Sequence, residues 1–324
     1  MDTSVNFQVL LSNITNPTLL FFVLGIVACI IKSDLEIPAP SIKFISLYLL
    51  FSIGFKGGQE LQHSEFTSEI FNSLVFGAIL ATAIPLYTFF ILKQKVGVSN
   101  AGAIAASYGS VSAVTFVSAA TFLEMQSVHF GGHMIAVMAL MEFPAIIMGF
   151  ILIKKYDTQQ ETEVSLANII KHAISNGSVL MIMGSLVIGI ISDSRQAEGI
   201  KPFTNDIFKG FLAIFLLEMG MITAKRFSTF RKHGLFVFFF SIVIPLVNGC
   251  IVALISESVT QDIGNRFIFS ILAASASYIA VPAAMRLAAP KSDPGLYIPM
   301  ALGVTFPFNI TIGMPLYYMI IQLH

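Results

Sequence analysis

Landmarks recur at a near-constant interval along this chain. VSAATFLE (117–124) returns as VPAAMRLA (281–288), MEFPA (141–145) as VTFPF (304–308), and Ile84-Pro85-Leu86 as Ile244-Pro245-Leu246. The offsets are 164, 163 and 160 residues in a chain of 324, so the sequence reads as two halves sharing one order of parts. Apolar residues make up 56% and charged residues 11%, which leaves too little polar surface for a water-soluble domain of this size. A duplicated chain that lives in lipid points to a carrier whose site lies where the halves meet.

A spanning helix needs roughly 17–25 mostly apolar residues. Ten runs are read as spans, near 17–32, 41–57, 72–92, 101–122, 133–153, 177–192, 207–223, 234–256, 266–287 and 296–322. Five precede the polar stretch KKYDTQQETEVS (154–165) and five follow it. The expected organisation is therefore a first five-helix repeat over 1–153, a cytoplasmic linker over 154–170 and a second repeat over 171–324. The opening MDTSVNFQVLLSNITNP lacks the basic start and small-residue cleavage site of a secretory signal, so the first run is kept as a mature span. Cys29 and Cys250 fall inside apolar runs and read as small buried hydrophobes.

Orientation follows from the basic residues, which are retained on the cytoplasmic side. With the N-terminus outside, the inner side carries 13 of them, among them Lys93, Lys95, Lys154, Lys155 and Arg286, and the outer side carries 5: Lys56, Arg195, Lys201, Lys209 and Arg266. Both termini are expected outside. An odd number of helices per half inverts the second repeat relative to the first, giving an all-α membrane protein of two inverted five-helix repeats.

The fourth and ninth runs are rich in Ala, Ser and Gly, and the ninth contains Pro282. Ser and Gly weaken a helix, and Pro removes the backbone bond four residues back. Unwound segments are predicted near Gly109 to Ala113 and Ser275 to Ile279. If both antiparallel spans break at mid-membrane, the N-terminal ends of their second halves converge, and free N–H groups with the positive ends of helix dipoles favour an anion. Carbonyls at the ends of the first halves, with the hydroxyls of Ser110, Ser112, Thr115, Ser275 and Ser277, suit a sodium ion. The same small residues would also serve close helix packing.

Glu142 sits midway along the fifth run, where a carboxylate is costly unless it faces protein, water or an ion. It is a candidate for cation binding or proton exchange, and its repeat partner is Thr305. Glu218 and Lys56 read as helix contacts, and Arg286 as an interfacial anchor with anion guidance as the alternative. No zinc-protease His/Glu spacing, acidic DxxxD pair or Walker loop is present, so the energy must come from an ion gradient or the substrate's own gradient, and no catalytic role is assigned. Neutral net charge argues against nucleic acid.

NPTLLFFVLG (16–25), IGFKGGQEL (53–61), GSVSAVTF (109–116), MEFPA (141–145) and AASASYIAVPAAMRLAAPKSDPGLYI (273–298) carry a resemblance to the sodium-dependent bicarbonate transporter family of cyanobacterial type. That resemblance implies an elevator-type carrier of the inner (plasma) membrane with crossed, interrupted helices 4 and 9 and separate core and gate domains. It further implies a homotrimer and a small PII-like regulatory protein on the cytoplasmic side. By motif position, Gly109, Ser110, Val111, Ser112, Ala276, Ser277 and Tyr278 would bind substrate, and Ser112, Thr115, Glu142, Ser275, Ser277 and Thr305 would hold the coupling sodium. No other cofactor is implied. The chain departs from its relatives where their serine-rich stretch ends in Asp, since Tyr278 stands here, and where their Met-Asp-x-Pro becomes Met141-Glu142-Phe143-Pro144. Losing one negative charge beside a cation weakens sodium or alters the coupled substrate.

The leading expectation is thus a sodium-coupled symporter of bicarbonate or a similar small carboxylate. A cation/proton antiporter using Glu142 and a non-transporting membrane ligand sensor stand as alternatives.

Overall fold

The computed structural model describes residues 17–62, 66–157, 171, 175–230 and 234–324. The predicted linker falls mostly at 158–170, outside the described residues, although the preceding helix runs on to Tyr156. Among the described residues all regular structure is helical. The first half contains α1 (Pro17–Ile30), α2 (Ala39–Gln62), α3 (Ser68–Val96), α4 (Val98–Gly109), α5 (Ala113–Met125) and α6 (His133–Tyr156). The second contains α7 (Gly177–Ile191), the short α8 (Ser194–Glu198), α9 (Phe208–Phe230), α10 (Leu235–Ile255), α11 (Ile263–Ala274), α12 (Ala280–Ala288) and α13 (Pro294–Leu323).

Among the described residues seven helical stretches are long and apolar enough to cross a membrane, with α4 and α5 counted as one of them. Three shorter apolar helices accompany them, Leu19–Ile30, Gly177–Ile191 and Ile263–Ala274. The chain is a multi-pass membrane protein.

Local chemistry accounts for the helix ends. The Thr67 hydroxyl caps α3 by accepting from Ile70 N, with Glu69 in the first turn and Lys93 and Lys95 in the last, so both ends complement the helix dipole. The Glu69 carboxylate also accepts from the Thr260 hydroxyl and, at 3.2 Å, from Asn265 Nδ2, tying the start of α3 to the start of α11. In α13, Pro299, Pro307 and Pro315 each lack a donor, and the backbone relaxes into wider turns at Ala301–Thr305 and Asn309–Gly313.

The partnerships of the first half recur in the second. α1 packs on α9 while α2 packs on α7; α3 packs on α4 and α6, as α10 packs on α11 and α13. The first two contacts are made backbone to backbone. A Cβ at Gly25 would come within 2.0 Å of Leu217 O, and one at Gly220 within 2.0 Å of Phe22 O. Likewise a Cβ at Gly58 would meet Leu186 O at 2.2 Å, and one at Gly189 would meet Phe55 O at 2.4 Å. Close approach through small residues is how helices associate in lipid, where apolar side chains gain nothing by leaving the acyl chains.

One charged residue departs from expectation. Arg266, counted above with the outer loops, is buried on α11, where its Nη2 donates to Ala253 O at 3.1 Å. It caps the C-terminal carbonyls of α10, a favourable place for a cation.

Candidate functional site

Both expected interruptions are present. Residues 110–112 separate α4 from α5, and residues 275–279 separate α11 from α12. Pro282 does not kink a continuous helix; it occupies the first turn of α12, where the missing N–H would have had no helical partner.

The two interruptions touch. Ser277 N donates to Ser107 O at 2.8 Å, and the Ser107 hydroxyl donates back to Ser277 O. Ser112 N donates to Ser275 Oγ at 3.2 Å. Ser112 caps α5, its Oγ accepting from Thr115 N at 3.2 Å, while Ser277, two residues before the cap position Ile279, accepts through Oγ from Val281 N of α12 at 3.5 Å. The buried backbone freed by unwinding is thus partly satisfied across the crossing, as an apolar interior requires.

Beside this crossing lies a cavity of about 20 Å³. Its walls include Val111, Ser112, Ala113 and Val114 from the first interruption, and Ser277, Tyr278, Ile279 and Ala280 from the second. The N-terminal ends of α5 and α12 therefore meet at one place. Glu142 of α6 forms a further wall, and α2 and α7 close the cavity with Ser46, Leu49, Leu50 and Ser178. One water needs roughly 10–15 Å³ on this measure, so the space suits one water or a bare cation. An anion of bicarbonate's size requires the walls to part.

Glu142 is buried, and its Oε2 has no hydrogen-bond partner among the described residues. The Tyr278 hydroxyl is also buried; it lies near Ser112 but outside hydrogen-bond geometry. A carboxylate oxygen and a phenol, both unsatisfied in one small cavity, form a site that a guest would complete.

Of the residues singled out from sequence, Val111, Ser112, Glu142, Ser277 and Tyr278 line the cavity. The others serve the crossing or its supports. Ser275 Oγ donates to Leu272 O at 3.0 Å while accepting from Ser112 N. Thr115 supplies the capped amide, and Ala276 is buried within the second interruption. Gly109 lies against α3, where a Cβ would meet Pro85 Cγ at 2.1 Å. Ser110 is buried with its hydroxyl unpartnered and does not line the cavity.

Thr305 is placed elsewhere. Its hydroxyl donates to Ser241 O at 2.8 Å and lies 2.8 Å from the Tyr108 hydroxyl, so it ties α13 to α10 and α4. Repeat symmetry makes it the partner of Glu142, and its short hydroxyl here donates to a carbonyl of α10.

Sequence reasoning missed Ser46, Ser178 and Asn248, and it missed the carbonyl that Asn309 serves. Asn248 Nδ2 donates to Ala273 O at 3.1 Å and Asn309 Nδ2 to Ala274 O at 2.8 Å, occupying the last carbonyls of α11. Asn309 was visible as a polar residue two positions after Pro307 in an apolar run, though its partner was not.

Comparison with known proteins places this geometry in a family. Residues 17–322 match the family model described as the Na+-dependent bicarbonate transporter superfamily. No curated protein matches the chain.

Proposed function

Because the chain belongs to the Na+-dependent bicarbonate transporter superfamily, we propose that it is a secondary carrier of a small anion, bicarbonate or a similar carboxylate, driven by sodium entry. The observation that carries this reading is the meeting of two helix interruptions beside an unsatisfied buried carboxylate. The cation sits against Glu142, with the Ser112 and Ser277 hydroxyls within the same cavity wall. The anion faces the N-terminal amides of α5 and α12, where the helix dipoles are positive. Neutralising Glu142 with the cation removes the repulsion that an entering anion would otherwise meet, which couples the two solutes.

In this reading the seven long spans and three shorter apolar helices act together as a ten-span, inverted-repeat carrier with its termini outside and its basic ends in the cytoplasm. The crossing helices belong to a moving core. Leu49 and Leu50 of α2, with Ser178 of α7, belong to the gate against which it slides. The cavity's size supports this, because admitting the anion requires those two sides to separate. The homotrimer, the PII-like cytoplasmic partner and the inner membrane location are carried over as part of the same proposal.

Uptake of radiolabelled bicarbonate into proteoliposomes tests the reading directly. Uptake should rise with an inward sodium gradient, and Glu142→Gln should abolish that rise. Uptake indifferent to both removes the coupling. A second reading, cation/proton exchange, is favoured by one observation: among the described residues Glu142 is the sole ionisable carboxyl lining the cavity. Sodium-driven proton flux with no anion requirement would select it.

A further inference from the structure

At the shared end of α3 and α6, four lysines rest on aromatic rings. The ammonium of Lys93 lies 4.5 Å from the ring centres of both Phe90 and Tyr156. Lys155 lies 5.8 Å over the same Tyr156 ring, Lys154 lies 6.0 Å over Phe150, and Lys95 reaches Phe236 of α10 at 5.9 Å. Within the described residues these ammonium groups sit on ring faces rather than on carboxylates. The neighbouring Asp157 accepts through Oδ2 from the Ser99 hydroxyl at 2.9 Å. A ring face stabilises an exposed ammonium by only about 0.5–1 kcal/mol and leaves its charge in place. Two such charges on one tyrosine repel each other unless an anion joins them.

The position along the helix identifies the anion. α3 has 29 residues, which at 1.5 Å each is about 43 Å, against a hydrocarbon thickness of roughly 30 Å. Its last turns therefore stand at headgroup level. Immediately below them, Phe90 and Ile91 are 43% and 45% exposed, an apolar strip at acyl-chain depth. Charge above and hydrocarbon below match a phospholipid. Clusters of lysine at this level attract anionic headgroups at about 1 kcal/mol each.

We propose that this corner is a binding site for an anionic phospholipid, its phosphate held by Lys93 and Lys155 across the Tyr156 ring, with Lys95 and Lys154 flanking, and its acyl chain lying along Phe90 and Ile91. The site is separate from the transport cavity and does not depend on the cargo.

The full-length protein in nanodiscs of phosphatidylcholine with a minor fraction of phosphatidylglycerol provides the test, with retained lipid read by native mass spectrometry after detergent exchange. Phosphatidylglycerol should be retained in excess of its bulk fraction. Lys93→Gln with Lys155→Gln should lower that retention at least tenfold, Tyr156→Leu should lower it less, and the doubly Arg-substituted protein should restore it. Lys209→Gln, which alters the exposed pair with Glu124 elsewhere, should change nothing. Retention of phosphatidylglycerol at no more than its bulk fraction overturns the proposal, as does full retention by a folded double Gln variant. Displacement of the lipid by inorganic phosphate alone would also overturn it, assigning the corner to a soluble anion.

Discussion

The two interruptions are similar in composition, yet they are finished differently. The last carbonyls of α11, at Ala273 and Ala274, receive the amides of Asn248 and Asn309. Those carboxamides are fixed in turn by the Tyr87 and Tyr317 hydroxyls. The carbonyl end of the second interruption is therefore closed by neutral groups that satisfy one another, while its Tyr278 hydroxyl has no partner among the described residues. Beside the first stands Glu142, whose Oε2 has no such partner. The carbonyl end of one interruption is thus sealed, while the amide ends of both face one cavity whose carboxyl calls for a charge. The difference teaches that internal symmetry of sequence transmits a backbone arrangement more faithfully than it transmits ligands.

The largest effect should come from Glu142→Gln, which keeps the shape and removes the charge. Sodium affinity, read from the sodium dependence of uptake, should fall about 100-fold, or roughly 2.8 kcal/mol at 1.4 kcal/mol per decade. An unchanged affinity would erase the contrast between the two interruptions. Gly109→Ala comes next, because its new methyl would meet Pro85 Cγ at 2.1 Å. Overpacking of this kind costs about 1–3 kcal/mol, measurable as a lower thermal midpoint in detergent. Asn309→Leu leaves the Ala274 carbonyl without its donor and should destabilise by about 1–2 kcal/mol, while leaving sodium affinity near the parent value. A large loss of sodium affinity would show that the second interruption also holds an ion.

Thr305→Val sharpens the same point at smaller scale. Losing the bonds to Ser241 O and Tyr108 should cost about 1 kcal/mol in stability with no shift in sodium dependence. A shift would return Thr305 to the ion site. Smallest of all is Lys209→Gln, which breaks an exposed pair with Glu124 and should change stability by less than about 0.5 kcal/mol in a thermal unfolding comparison.

These residues also show what could be read before any coordinates. The interruptions were legible because their cause is local: Ser, Gly and Ala weaken a helix, and Pro282 suits only a first turn. Glu142 was legible because a carboxyl in an apolar run always demands an explanation. The partners of Asn248 and Asn309 were not, since each acts on a carbonyl 25 or 35 residues away and nothing in the intervening sequence signals the approach. Ser46 and Ser178 were hidden for the same reason, as walls contributed by helices packed from outside the crossing. Thr305 shares the repeat position of Glu142, but a repeat does not carry the direction of a hydroxyl, which here points to Ser241 O and Tyr108.

The glycine contacts that join α1 to α9 and α2 to α7 carry a mechanical consequence. Where main chain meets main chain there are no rotamers to rearrange, so these joints admit a single spacing and resist gradual sliding. Each joined pair behaves as a stiff plank. Any alternation of access in this protein must be hinged elsewhere, on surfaces where longer side chains can exchange neighbours.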